Sequence, residues 1–388
     1  MRPEMTKYGL LRNLIQTKSY SGQEGNVLSQ IESYLSEKGI STTTQFPIEV
    51  VEPLQQPNLI VCFQGRDRDR ALIFDGHMDT VSADRESWAP LAPFGSKSGK
   101  IIDGKMYGLG ASDMKSGIYA QMKIAEYINS CGVPPYDIWI AFVIEEETSG
   151  RGTSSFVNWF ASQKFDYKEI GVVIPEPTDL NKFFIGQRGN IALKAKVKGE
   201  TGHASQVSID IKNSILLMAE FLRKLQHEAD KWRKNYPDEL FGSPTVSVTA
   251  INGGDLAYPN KLAPYCEAAI DIRTNPHFHG DAFQLVREVG ENFGVVIEER
   301  WPSGPSVVGS KHSKLVSVTQ EVTGLQPLIH PATTDVGWFL NNGVTQAVIY
   351  GPGHYLQSHK PGEFVKLENI DMVIEQYKTI IKKWRSDH

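Results

Sequence analysis

The longest apolar run in the chain, Ile138 to Ile144, is strand-sized and passes without a break into three consecutive glutamates, Glu145, Glu146 and Glu147. A bilayer-spanning helix needs about 20 apolar residues, so this run reads as a buried strand that delivers carboxylates at its end. Other runs repeat the design. ALIFDGHMDTV places His77 and Asp79 just past an apolar strand, VVIPEPTD places Glu176 between two prolines, and VIYGPGHYLQSHKPGE places His354 and His359 beyond a Gly-Pro-Gly turn. In open α/β sheets, ligands bind beyond the carboxyl ends of the strands. The chain is therefore expected to fold around an α/β sheet whose strand ends hold a site rich in metal-binding groups.

The surrounding periodicities agree. Tyr8 to Ile15 and Val27 to Leu35 are amphipathic at helical spacing. Asn58 to Phe63 and Ala71 to Phe74 read as strands joined by a charged turn, GRDRDR. Lys115 to Tyr127 reads as a helix and Val172 to Ile174 as a further strand. Strands alternating with helices predict a sheet covered on both faces. From about Ile185 the texture changes. Ile191 to Val197 and Thr245 to Ile251 alternate apolar and polar residues, as antiparallel strands with one covered face do. Ser214 to Leu225 and Phe283 to Phe293 read as helices and Ala268 to Ile272 as a strand. The polar stretch HEADKWRKNYPDELFGS reads as a loop. After Arg300 the α/β pattern resumes, with a helix at Lys314 to Val322 and a strand at Ala347 to Tyr350. The expected organisation is a catalytic domain in two pieces, 1–184 and 300–388, interrupted by a smaller α+β domain over 185–299.

A chain of 388 residues supports two compact units. Its formal net charge of -5 speaks against nucleic acid as a partner and gives no attraction to an anionic membrane. Its start, MRPEMTKYGLLRNLI, is polar and then amphipathic, unlike a secretory signal. Three widely spaced cysteines, Cys62, Cys131 and Cys266, are expected to be free, mostly buried thiols in a reducing cytoplasm.

Each acidic or imidazole group has an ordinary explanation on its own. Glutamates favour helix N-termini, Glu176 could sit in a simple turn, and an H-x-D pair is often structural. Gly108 and Gly110 begin a G-x-G-x-x-G, but its third position is Asp113, a carboxylate where a pyrophosphate would need room. An anion there suits a cation. Taken together, converging carboxylates repel and raise one another's pKa unless a cation compensates them. A bridging carboxylate, two further carboxylates and two imidazoles suit a two-metal centre with positions open for water and substrate.

At these residues the chain resembles the metallohydrolase family of acetylornithine deacetylase, succinyl-diaminopimelate desuccinylase and glutamate carboxypeptidase, with matching motifs along essentially its whole length. The resemblance implies a zinc-peptidase-like catalytic domain with a mixed central sheet flanked by helices, and an inserted lid and dimerisation domain. It makes His77 of GHMDTV a metal ligand and Asp79 its orienting partner, and Asp113 of GLGASDMK a bridge between two metals, followed by a cis peptide bond. EEETSGRG then gives Glu146 as general base and Glu147 as ligand, although three glutamates in a row leave a slip of one residue open. Glu176 of PEPTD joins the metal of His77, and His359, rather than His354, is the last ligand beside Glu147. In the insert, His203 of VKGETGHAS is implied to stabilise the oxyanion of a neighbouring active site. Arg273 of AIDIRTNP, Asn260 and Arg188 are implied to bind substrate, with an ion pair to Asp271 as the ordinary reading of Arg273. Thr333, Thr334 or Asp335 of TTDVGWF is implied to line the pocket. The family implies two divalent ions, zinc or cobalt, a small N-acyl amino acid as substrate, a cytoplasmic homodimer and a place in arginine biosynthesis. Acetylornithine deacetylase is the branch most resembled.

Overall fold

In the computed structural model, which describes residues 7–47, 56–206, 211–300 and 303–385, those apolar runs form the middle of a nine-stranded sheet. The polar residues 1–6 that open the chain lie outside the described residues. In chain order the strands are β1 (Thr43–Gln45), β2 (Asn58–Phe63), β3 (Asp67–His77), β4 (Lys100–Ile102), β5 (Lys105–Tyr107), β6 (Tyr136–Val143), β7 (Glu169–Ile174), β8 (Phe183–Gln187), β9 (Gly189–Lys198), β10 (Thr245–Gly253), β11 (Tyr265–Thr274), β12 (Val295–Glu299), β13 (Val307–Val308), β14 (Pro327–His330), β15 (Gln346–Ile349) and β16 (Phe364–Lys366). The helices are α1 (Gly9–Gln16), α2 (Gly25–Glu37), α3 (Lys115–Cys131), α4 (Arg151–Ser162), α5 (Ser214–Asn235), α6 (His279–Glu291), α7 (Lys314–Thr323), α8 (Val336–Asn341) and α9 (Leu367–Lys383).

The chain divides into two compact units, one of Met1–Gly186, Val308–Leu328 and Thr334–His388, the other of Gln187–Val307 and Ile329–Thr333. In the first unit the large sheet runs β1-β2-β6-β3-β7-β15-β8-β13, with β14 on β8. Its centre, β6-β3-β7-β15, is parallel, and it is flanked by antiparallel pairings of β2 with β6 and β8 with β15. The sheet is thus mixed, as expected. The centre is buried on both faces. Ala71 and Ile73 pack with Phe156 and Phe160 of α4 and Val336 and Phe339 of α8. Phe74, pointing to the other face, meets Tyr377 of α9 edge-on at 5.3 Å between ring centroids. A separate small sheet, β16-β5-β4, braces the loop that leads to Asp113.

The charged stretch GRDRDR is not a turn between neighbouring strands. Asp67 already belongs to β3, and β6 lies between β2 and β3. The charges sit where β3 projects past the core, and Arg70 is anchored there by the Trp384 carbonyl at 3.0 Å and by Glu169.

The second unit is an antiparallel sheet, β10-β11-β9-β12, with α5 and α6 against one face. Its other face carries ion pairs of Glu267 with Lys194 and Lys196, each at 2.9 Å. Alternation therefore placed the residues of β9 correctly, and β11 covers the strand expected at Ala268 to Ile272. β10 differs, because Ser247 to Gly253 are exposed on both faces. The polar stretch after Gln226 is also not all loop. α5 continues to Asn235, since Ala229 and Trp232 recur at helical spacing and are buried. Two of the three thiols, Cys62 and Cys131, are exposed, and only Cys266 is buried; all three are free. No described helix is long and apolar enough to cross a membrane.

Candidate metal centre

Strand register brings the site together. His77, the last residue of β3, lies opposite Val143 of β6, and Ile174 of β7 lies opposite Ile349 of β15. The four parallel strands therefore end side by side, and the segments leaving them carry His77, the glutamate run, Glu176 and the Gly351–Glu363 loop. Asp113 arrives from the loop before α3, across a cis Asp113–Met114 peptide bond.

Asp113 faces two imidazoles. Its Oδ1 lies 3.2 Å from His77 Nε2, and its Oδ2 lies 3.4 Å from His359 Nε2. Glu176 Oε1 is 3.4 Å from His77 Nε2, and Glu147 Oε2 is 2.9 Å from His359 Nε2. Donor atoms of His77, Asp113 and Glu147 lie within 4.8 Å of one another, as do those of His77, Glu146 and Glu176. His77 Nδ1 is held from behind by Asp79, 3.1 Å from its carbonyl and 3.3 Å from Oδ1.

The electrostatics show how closely the acids crowd. Burial, then the charge of Asp113, pushes the Glu176 carboxyl up to about 8. Burial likewise raises Glu147 and lifts Glu146 well above the carboxylate range. Hydrogen bonds to Asp113 and Glu147 raise His359 to about 11. Buried acids this close relieve their repulsion by holding protons or cations. An all-nitrogen and oxygen donor set, with one carboxylate turned to both sides, fits two divalent ions.

The structure separates the neighbours that spacing left ambiguous. Glu145 adopts a left-handed φ of 56° and pairs with Arg151, with the Ser149 hydroxyl at 3.1 Å. That turn directs it away, while Glu146 and Glu147 join the cluster. His354 packs edge-on against Phe364 and lies 3.8 Å from Asp179, outside the cluster. Thr334 and Asp335 are buried at the start of α8, and burial pushes Asp335 up to about 7.

In the second unit His203 is exposed, 2.8 Å from Ser205 Oγ, with the Asn260 amide nitrogen 3.5 Å from its Nε2. Arg273 forks onto Asp271 at 2.8 and 3.1 Å and reaches Thr333 Oγ1 at 3.2 Å. Arg188 donates to the carbonyls of Ser243 and Arg273, at 2.5 and 3.0 Å. The structure thus groups His203 with Asn260, and Arg188 with Arg273 and Thr333.

Three supporting residues escaped the sequence reading. The buried Glu363 carboxylate accepts the N–H groups of Gly110, Ser112 and Asp113 at 3.1, 2.7 and 3.0 Å. It stands in the same HKPGE segment as His359, which was its only signal. Ser21 donates to Asp79 Oδ2 at 2.6 Å, and Glu24 accepts the Glu145 N–H at 3.2 Å. Both read merely as the approach to a helix.

Fold and centre together define a metallohydrolase with a catalytic α/β unit and a separate antiparallel unit. Residues 73–383 match the model of peptidase family M20/M25/M40, and the chain belongs to that family of metal-dependent enzymes acting on amides. The acetylornithine deacetylase of Vibrio parahaemolyticus is 27% identical over 384 residues, spanning 93% of this chain and 94% of that one. The fold is similar to the di-peptidase Dug1p of Saccharomyces cerevisiae, with a TM-score of 0.81 at 14% identity over 98% of this chain and 96% of that one. It is also similar to the Bacillus subtilis YXEP protein, described as a dinuclear metal-binding peptidase, at a TM-score of 0.65 and 16% identity over 97% and 96%.

Proposed function

We propose that this enzyme removes the acyl group from an N-acyl amino acid in the manner of acetylornithine deacetylase, releasing acetate and a free amine. The observation that carries the hydrolytic reading is Asp113, whose two oxygens face separate histidine–glutamate pairs. The near full-length similarity to an acetylornithine deacetylase supports the choice of substrate and, with it, a cytoplasmic role in arginine biosynthesis.

In this reading His77 and Glu176 would hold one divalent ion, Glu147 and His359 the other, and Asp113 would serve both. Two ions bound there, zinc or cobalt, would supply a water of lowered pKa and a Lewis acid for the acyl carbonyl. Asp79 keeps the His77 ring oriented through Nδ1. Glu146 takes the proton of the attacking water and later delivers it to the leaving amine nitrogen. Burial raises the Glu146 carboxyl, which suits a group that must both accept and return a proton. In the second unit, which we assign as the lid and dimerisation domain, His203 donates to the developing oxyanion. Arg273 and Asn260 bind the substrate's carboxylate, with Arg273 preset by its fork on Asp271, and Arg188 lines the substrate site.

The edge at β10 supports the assignment of a homodimer. It is the edge strand of its sheet, and it exposes Val248 and Ile251 beside Leu256 and Tyr258. An edge with apolar side chains on view is a template for pairing with a second copy.

The test begins with metal analysis and product identification. About two zinc or cobalt ions per chain, loss of turnover with chelator, and acetate released from N-acetylornithine support the proposal. Preferential release of succinate from N-succinyl-diaminopimelate, or cleavage of dipeptides alone, would move the assignment to another branch. Glu146→Gln should retain both metals and lose about a hundred- to ten-thousand-fold in kcat. Loss of metal in that variant would remove Glu146 from the role of base.

A further inference from the structure

Three consecutive backbone N–H groups in the catalytic loop all end on buried carboxylates. Glu145 N–H meets Glu24 Oε1 at 3.2 Å, Glu146 N–H meets Asp79 Oδ1 at 3.1 Å, and Glu147 N–H meets Asp79 Oδ2 at 3.2 Å. Successive N–H groups around a left-handed residue form a concave, positive cradle that an anion stabilises. Glu145, at φ 56°, is that residue. A side chain rarely adopts this conformation unless its surroundings impose it.

The imposing contact comes from the segment before α2. Glu24 stands at the position where a side chain commonly caps its own helix, yet it makes no such cap. Its Oε1 instead gathers the N–H groups of Gly22, at 2.8 Å, and Glu145. Glu24 is wholly buried, as is Asp79. Burying a carboxylate is costly, so stability alone gives little reason to keep one here. The segment is itself tied to the strand end that carries Asp79. Thr80 N–H donates to the Ser19 carbonyl at 2.8 Å, and Ser21 Oγ donates to Asp79 Oδ2 at 2.6 Å.

We propose that Glu24, assisted by Ser21, is a positioning residue for the hydrolytic reaction, holding the backbone of Glu145 so that Glu146 and Glu147 present their carboxylates to the centre. The proposal rests on the roles assigned above to Glu146 and Glu147. Glu24 touches neither metal nor substrate in this scheme and acts only through the loop.

Two variants of the full, metal-loaded chain test it, Glu24→Ala and Glu24→Gln. The glutamine oxygen can accept the same two N–H groups, whereas alanine leaves both without an acceptor. Hydrogen exchange of the peptide over 143–149 should accelerate in Glu24→Ala while that of α9 stays unchanged. Its kcat should fall about 10- to 100-fold with both metals retained, KM should stay within about twofold, and Glu24→Gln should recover most of the loss. Unchanged exchange over 143–149, glutamine no better than alanine, or equal loss of protection in α9 would each overturn the positioning role. Glu146→Gln, assayed in parallel, keeps the two readings apart. If that variant stays active, the assignment of Glu146 fails, while the exchange data still report whether Glu24 holds the loop.

Discussion

Glu363 shows how much of this site is made by carboxylates that face backbone rather than metal. Its Oε1 takes the N–H groups of Ser112 and Asp113, and its Oε2 takes that of Gly110. Removing it should free the loop that aims Asp113. Glu363→Ala is expected to weaken metal affinity about 10- to 100-fold, measured by calorimetric titration of the metal-free chain. Glu363→Gln keeps the acceptor for Ser112 and Asp113 but sets an amide NH₂ against Gly110 N–H, so its affinity should fall between. An alanine variant that binds metal as tightly as the parent removes this role. At this scale the sequence was legible wherever a residue type is demanded by chemistry. Four of the five candidate ligands stood out because histidines and acids followed apolar strands, and Asp113 because a carboxylate stood in a glycine-rich loop before a helix. What spacing could not show was the choice inside a cluster. Glu145 is set apart by its backbone conformation and by Arg151, and His354 by Asp179 and Phe364, and neither a φ angle nor a choice of side-chain partner is written in residue spacing. Glu24 and Glu363 were missed because their partners are backbone N–H groups that no side-chain pattern records, and Ser21 because its partner Asp79 lies 58 residues further along the chain.

Whole elements were legible to the extent that their own residues decide them. β2 ends where its apolar run ends, and α3 begins directly after the Asp113 loop, because burial there follows local periodicity. Topology is decided elsewhere. β6 inserts between β2 and β3, a pairing of segments more than sixty residues apart in the chain. The length of α5 was hidden by charged residues on its outer face, although Ala229 and Trp232 kept the inner stripe going. β10 illustrates a third case, in which an alternating pattern is real but its apolar side chains Val248 and Ile251 are left exposed. If that edge joins two copies, a charge placed there should block pairing. Ile251→Lys is expected to sediment as a monomer under conditions where the parent sediments as a dimer, while circular dichroism stays unchanged. A parent chain that is itself monomeric at micromolar concentration would end the dimer proposal.

For the molecule as a whole, the centre couples metal, protons and stability. Without metal, burial holds Glu176 and Glu363 up at about 8 and Glu24 and Asp335 at about 7. A folded chain that keeps these protons competes with an unfolded one that releases them near the ordinary carboxylate range. Their contribution is therefore present in full at low pH and drains away as pH rises through about 5 to 8. Hydrogen bonding to Asp113 and Glu147, which lifts His359 to about 11, acts in the same direction above neutrality, where the unfolded imidazole has lost its proton. Lys115 opposes them, because burial lowers it to about 7, so its neutral folded form favours folding increasingly above that pH. The acids outnumber it in the window from pH 5 to 7, where its effect is small. Bound metal takes the place of several of these protons, and its binding strengthens as they leave. Calorimetric melting of the metal-free chain should therefore show Tm falling from pH 5.5 to 7.5, with the metal-loaded chain falling less. The gap between the two should widen with pH. A gap that is constant or narrows across that range would mean that the clustered acids are not what the metals neutralise, and the two-metal reading would lose its electrostatic basis.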